Sequence, residues 1–259
     1  MIALTIQARM NSKRLPGKMM KKINNKTIIE ILVNRVKRCK EIDKIIISTS
    51  KNKKDNKLAL FCKKKLKIGV FRGSEKNVLS RIANTIKKHR IKIHIECFGD
   101  GPFIDPKLID RFIKKFKKSN YDCLTNTLKT SYPPGQEFWI YKGNSLIKLN
   151  RLVKRSDKLR EHVGYNFSRF EQFKIKSIIA PKKYYYPNFY IELDTQKDLM
   201  FLRKIYAHFN NSNNLNFELL EIIQFLKKNK KLLKINDKEK RRWKLLRNEK
   251  NYRYSNWFW

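Results

Sequence analysis

Acidic residues are scarce in this sequence. There are 22 Asp plus Glu against 62 Lys plus Arg, a formal net charge of +40. A polyanionic partner would account for that imbalance. So would a lineage biased toward Lys and Asn, because both are scattered through every segment, including solvated helix faces such as FIKKFKKSN and FLKKNKKLLK. The second account needs no partner. No specific nucleic-acid partner is expected, only loose association in low salt. Long apolar runs are also missing: nothing approaches the ~20 residues of a membrane span. The opening MIALTIQARM has no basic leader followed by a long apolar stretch, so a secretory signal is not expected. The cysteines are only four, Cys39, Cys62, Cys97 and Cys123, and none sits at C-x-x-C spacing. Buried free thiols in a reducing cytoplasm are expected, not a disulfide framework or a thiolate metal site. Neither an internal repeat nor a coiled-coil heptad is present. What remains is a chain of 259 residues, 41% hydrophobic, too apolar for a wholly disordered chain. Its length suits one large α/β domain or two small ones.

The first half alternates between two periodicities. IALTI, KIIIST, IGVFRG, KIHIECFG and YDCLTN read as strands. Between them TIIEILVNRVKRC, NKKDNKLALFCKKK, NVLSRIANTIKKH and PKLIDRFIKKF read as helices, the last with Pro106 in its first turn. This order implies a mostly parallel sheet with right-handed crossovers. Ligands of such sheets bind beyond the carboxyl ends of the strands. The loops after Ile6, Val70 and Cys97 are therefore the places to look. From about Ser131 the pattern changes. SYPPGQEFWIYKG reads as a turn feeding an extended segment, GNSLIKLNRLVKR as helix, and REHVGYNFSRF as a lid or subunit contact. KIKSIIAP and FYIELDT read as two further strands, QKDLMFLRKIYAHF and FELLEIIQFLKK as helices. A basic tail ends in Trp257, Phe258 and Trp259, which could pack on the domain or on a partner.

The loop after the first strand carries no G-x-G-x-x-G and no G-x-x-x-x-G-K-[ST]. It carries Arg9, Lys13, Arg14 and Lys18 instead, with Pro16 and Gly17 to hold a turn. Guanidinium forks and a lysine point charge suit a polyphosphate. The plainer alternative is a basic surface loop. The segment Ala8–Lys18, however, fills every position of the pattern A-R-x-x-S-x-R-L-P-x-K, with Ala8, Arg9, Ser12, Arg14, Leu15, Pro16 and Lys18. It resembles the signature of the CTP-dependent sugar cytidylyltransferases, the acylneuraminate and octulosonate type. Within them it is most similar to the branch typified by the spore coat polysaccharide biosynthesis protein SpsF. VFRGSEKNVLSR, GDGPFIDP, REHV and ELDTQKDL resemble further family segments, so the likeness spans roughly residues 1–208.

The resemblance implies a Rossmann-like nucleotide-diphospho-sugar transferase fold over residues 1–208. An acceptor and dimerisation subregion would lie near 131–180, and a basic helical extension over 209–259. It implies a Mg²⁺-dependent enzyme that joins CTP to a sugar or sugar acid, releases pyrophosphate, and pairs as a homodimer. Arg14, Lys18 and Asp100 would be catalytic, and Asp100 with Asp194 would hold the metal. Ala8, Arg9, Ser12, Arg14, Lys18, Arg72, Ser74 and Gly99 would bind nucleotide, with Glu75 a further candidate and Arg81 bracing from the next helix. Glu137, Trp139, Arg160, Glu161 and His162 would face the acceptor. Each carboxylate also has a purely structural alternative: Asp100 as a turn cap, Asp194 as the cap of the helix that follows it. Two departures stand out. Gly101 replaces the usual cysteine, a change expected to be tolerated. Trp139 replaces the second carboxylate of the family's acceptor segment, with a ring that could stack on a sugar or lean on a partner. Competing readings are a glycosyltransferase or a transferase of another nucleotide, though no D-x-D follows a strand, and a non-enzymatic polyanion binder resting on charge alone.

Overall fold

The computed structural model describes residues 1–241; Trp257, Phe258 and Trp259 lie outside them. The first strand, β1 (Ile2–Gln7), buries its middle four residues, as an interior parallel strand does. A small ribbon of β2 (Lys22–Ile23) and β3 (Lys26–Thr27) follows, unheralded by the sequence pattern. Asn24 and Asn25 turn it, both at positive φ, a conformation asparagine tolerates better than most residues. The next helix, α1 (Ile28–Val36), begins on a reciprocal cap between Thr27 and Glu30. Then come β4 (Lys44–Ser50), α2 (Asn56–Lys64), β5 (Gly69–Gly73), α3 (Val78–His89), β6 (Ile93–Phe98) and α4 (Pro106–Lys117). The second half adds β7 (Cys123–Thr125), β8 (Phe138–Lys142), α5 (Gly143–Leu152), β9 (Ile175–Ser177), α6 (Gln196–Asn211) and α7 (Leu219–Lys228).

Seven strands form one sheet in the order β5-β4-β1-β6-β8-β7-β9. The pairs among β5, β4, β1 and β6 are parallel, while β8 runs antiparallel to both of its neighbours. Alternate strand residues serve two cores. Leu4, Ile6, Ile95 and Ile140 join a core with α1, α4, α6 and α7. Ala3, Ile46, Trp139 and Tyr141 join a second core with α3 and α5. This period-2 alternation between two helix layers is the α/β architecture expected above.

Three expectations need correction. FYIELDT is not a strand: it is extended chain whose Ile191 and Leu193 amides donate to the carbonyls of Pro134 and Asp100, two loops that offer no continuous ladder. Trp139 does not face an acceptor or a partner; it is 1% exposed in the second core, stacked on Tyr141 and edge-on to Tyr165. A Cβ on Gly164 would stand 2.2 Å from its ring, so glycine there leaves room for the indole. Finally, no break separates an extension from the domain at residue 208. That residue lies inside α6, and Phe217, Leu219, Ile222 and Leu226 belong to the first core.

Candidate active site

The loop after β1 folds around one carbonyl. Met10 O accepts the amides of Ser12 and Gly17, each at 3.0 Å, and Gly17 takes the left-handed conformation (φ 67°). The Ser12 hydroxyl accepts the Leu15 amide at 3.4 Å, so it braces the turn. The Met10 amide donates to Asp55 Oδ1 at 2.7 Å, and Asp55 Oδ2 accepts from the Ser50 amide and hydroxyl. Asp55 thus ties this loop to the end of β4. Sequence reasoning passed over it; the only signal was a single acid in the run NKKDNK. Ala8 is buried against Gly99, where an added Cβ would stand 3.1 Å from Ala8 Cβ and 2.7 Å from Met19 Sδ. Gly99 therefore permits the close approach of the β1 and β6 loops.

This framework presents three cations. Lys18 Nζ donates to Leu193 O (2.8 Å) and Asp194 Oδ1 (3.0 Å), and lies 3.7 Å from Asp100 Oδ2. Arg14 donates to Asp194 Oδ2 (2.5 Å) and to Lys240 O (2.8 Å). Arg9 pairs with Glu161 at 3.1 Å across a half-exposed rim. The two aspartates meet because the Leu193 amide donates to Asp100 O at 2.7 Å. Gly101 assists: a Cβ there would stand 2.4 Å from Gly135 O. Desolvation pushes the Asp100 carboxyl above the usual carboxylate range, Asp194 adds to the rise, and Lys18 opposes it. For Lys18, desolvation alone would lower the ammonium, but Asp100 and Asp194 outweigh it and hold it above its ordinary value. Among the described residues no group of three or more His, Cys, Asp or Glu side chains could hold a metal by itself. The donor set of Asp100 and Asp194 nonetheless fits a hard divalent cation whose remaining positions are filled by phosphate oxygens and water.

The Asp194 turn is itself anchored. Asp198 Oδ2 accepts the amides of Asp194 (2.9 Å) and Thr195 (2.8 Å). Arg241, 1% exposed at its side chain, neutralises Asp198 with two hydrogen bonds (2.9 and 3.1 Å) and approaches Glu192 at 3.4 Å. Nothing local in the sequence pointed to Arg241, which reaches Asp198 through tertiary packing.

Other expected site residues serve the walls of the cleft. Arg72 donates to Ser50 O and Asn52 O, each at 2.9 Å. Ser74 accepts the Asn77 amide through its hydroxyl and Arg81 Nη1 through its carbonyl. Both hold loops together here, while Glu75 accepts from Asn11 (3.3 Å) and Asn52 (3.1 Å) and joins the β5 loop to the β1 loop. Arg160, 4% exposed, is a brace: it donates to Asn77 Oδ1, Val153 O and the Asn150 side chain. Its burial removes it from direct acceptor contact in this conformation. Glu137 accepts the Gly135 amide at 2.6 Å, and His162 lies edge-on to Tyr165.

Four distant segments thus converge on one cationic, carboxylate-lined cleft at the carboxyl ends of β1 and β6. The profile of the family described as Cytidylyltransferase matches residues 3–251. The chain belongs to the cytidylyltransferase family. The match runs past residue 208, in keeping with the packing of α7 into the core. This cytidylyltransferase is 32% identical over 232 residues to an uncharacterized protein of Methanocaldococcus jannaschii, covering 89% of this chain and 92% of the relative. It is also 32% identical over 212 residues to the spore coat polysaccharide biosynthesis protein SpsF of Bacillus subtilis, covering 79% and 86%. Among solved structures, a cytidylyltransferase from Leptospira borgpetersenii superposes with a TM-score of 0.81 at 25% identity, covering 90% of this chain and 96% of that one. The fold is that of CTP-utilising nucleotidyltransferases, and the chain is an enzyme of that class.

Proposed function

We propose that this cytidylyltransferase transfers CMP from CTP to a sugar or sugar acid, releasing pyrophosphate, for surface glycan synthesis. The reading rests on one observation above the others: Lys18 is held between Asp100 and Asp194, with Arg14 on Asp194, beyond the ends of parallel strands. In the reaction an acceptor oxygen forms a bond to the α-phosphorus of CTP. The bond from that phosphorus to the β-bridging oxygen breaks, its electron pair leaves with pyrophosphate, and the acceptor proton passes to solvent. Arg14 and Lys18 neutralise the charge that grows on the leaving group. Asp100 and Asp194 would hold Mg²⁺, which when bound supplies counter-charge to the phosphate oxygens. Gly99 lets the β1 and β6 loops close on one another, which brings Lys18 beside Asp100.

Glu137, Glu161 and His162 remain the candidates for acceptor contact, and likeness to SpsF supports placing the chain near that branch. Four free thiols, three of them buried, accord with a reducing cytoplasm. Homodimerisation rests on the family resemblance alone, because the aromatics of SYPPGQEFWIY are largely spent inside the fold. No helix among the described residues is long and apolar enough to cross a membrane. The test is pyrophosphate release with Mg²⁺ and each of CTP, ATP, GTP and UTP against a panel of sugar acids and phosphorylated small alcohols. Turnover confined to CTP and one acceptor is expected. Turnover with another nucleotide, or no nucleotide binding at all by calorimetry, would overturn the reading.

A further inference from the structure

After α7 the chain folds back, and the segment 236–241 meets the active site at two places. Asn236, 1% exposed, donates through Nδ2 to Tyr190 O at 2.9 Å and to Asp198 Oδ1 at 2.8 Å. Its carbonyl accepts the Glu239 amide (3.3 Å) and Arg241 Nη2 (3.0 Å), which curls the segment on itself. The Arg241 guanidinium lies 4.6 Å from the centre of the Tyr190 ring and donates to both oxygens of Asp198. Between these anchors Lys240 O accepts Arg14 Nη1 at 2.8 Å. One short segment therefore touches the acidic turn through Asn236 and Arg241, and the cationic loop through a backbone carbonyl.

A helix start does not require this much. The reciprocal cap of α6 is complete in Thr195 and Asp198: the Thr195 hydroxyl accepts the Asp198 amide, and Asp198 Oδ2 accepts the Thr195 amide. Here Asp198 is also 0% exposed, its Oδ2 accepts the Asp194 amide as well, and two side chains of the returning segment converge on it. A buried carboxylate stripped of its cation takes up a proton or turns toward water, and either change loosens its hold on backbone amides. Burial alone would lower the Arg241 guanidinium, but Asp198 and Glu192 outweigh it and hold it above its ordinary value, so the cation stays charged beside Asp198.

We propose that the segment 236–241 is a working part of the active site, in which Arg241, acting through Asp198, is a positioning residue for Asp194 and so for the Lys18 and Arg14 cations that meet it. The chain of contact is continuous. Arg241 and Asn236 fix Asp198, Asp198 Oδ2 fixes the Asp194 amide, and the Asp194 carboxylate takes Lys18 on one oxygen and Arg14 on the other. A shift of that carboxylate moves both cations together, and misplacement of such groups by about 1 Å is enough to cost a reaction about a hundredfold. The catalytic consequence rests on the reaction proposed above; the positioning of Asp194 does not.

The experiment has two arms, both on the full chain. The first is steady-state pyrophosphate release by Arg241→Gln, Arg241→Lys and Glu239→Gln, the last removing only the ion pair of the same segment with Lys197. Arg241→Gln is expected to lower kcat about tenfold or more while KM for CTP changes less, Arg241→Lys to recover part of the loss because it keeps the charge, and Glu239→Gln to match the parent. The second arm needs no reaction. Urea denaturation compares the parent, Lys18→Met, Arg241→Gln and the double variant. No hydrogen bond or ion pair joins Lys18 to Arg241 among the described residues, so coupling between them runs through the Asp194 turn. The effect of Lys18→Met on the unfolding equilibrium is expected to shrink about threefold or more when Arg241 is absent. If Arg241→Gln does not fold, Arg241→Lys takes its place in both arms. An additive cycle, or a folded Arg241 variant with the parent's kcat, would overturn the proposal. A coupled cycle in a parent that releases no pyrophosphate would uphold the positioning and count against the reaction instead.

Discussion

At Lys18 one ammonium meets two carboxylates. Without nucleotide it offsets a like-charge pair that would otherwise repel, and it opposes the rise that desolvation first, and Asp194 second, impose on the Asp100 carboxyl. In the proposed reaction the same ammonium would lie beside the triphosphate, so ground-state and reaction roles would fall on one atom. Arg14 is the residue to change first, because it is a third exposed and among the described residues bonds to Asp194 and the Lys240 carbonyl. Arg14→Ala is expected to lower kcat at least about tenfold, and by up to ~3 kcal/mol of transition-state stabilisation, with an unchanged circular dichroism spectrum. Unaltered turnover in the folded variant would remove Arg14 from the mechanism. Gly101 illustrates a second lesson at this scale. Its backbone touches Gly135 so closely that any side chain would displace one loop from the other, and a cysteine in its place could not be accommodated without such a shift.

The strand β6 carries two titratable groups into the second core. His94 shares a 2.8 Å hydrogen bond with Thr5, and Glu96 is bonded to Tyr141, with Arg81 nearby. Burial lowers His94 from an ordinary value of 6.5 to about 3. Burial raises Glu96 from 4.5 to about 7, against the pull of Tyr141 and Arg81. The signs differ. Between about pH 4.5 and 7 the native state keeps the Glu96 proton that the unfolded chain has lost, so this group costs stability as pH rises. Between about pH 3 and 6.5 the unfolded chain gains a His94 proton that the native state refuses, so this group costs stability as pH falls. From 4.5 to 6.5 the two oppose one another. Glu96→Gln is expected to unmask histidine, so that stability rises with pH across that window, as read by urea denaturation at several pH values. A profile as flat as the parent's would mean the buried histidine does not govern this range.

Over the whole molecule the dominant fact is a net charge of +40. Like charges spread over a surface repel, and added salt screens them over a Debye length of about 10 Å at 0.1 M. Melting temperature is therefore expected to rise with sodium chloride, and retention on random duplex DNA to collapse over the same range. DNA binding that survived high salt would instead argue for a dedicated nucleic-acid surface.

The order of strands and helices in the first half was legible because it rests on periodicities a few residues long, and Thr27, Asn77 and Asp105 mark helix starts within a turn of where they act. The family was legible in the first loop too, since Arg9, Arg14 and Lys18 are close in sequence and their pattern is specific. The remainder depended on contacts between remote segments. Asp194 reaches Lys18 only because Leu193 pairs with the Asp100 carbonyl, and Arg241 reaches Asp198 only because the chain after α7 folds back. Trp139 reads as an available aromatic in sequence, yet its strand register turns it inward against Gly164. Sequence by itself therefore determined the architecture and the family, and grouped Arg9, Arg14 and Lys18 on one loop. The closing of Asp100 and Asp194 on Lys18 and the braces behind them were decided by tertiary packing, because no local pattern encodes the distance between residues far apart in the chain.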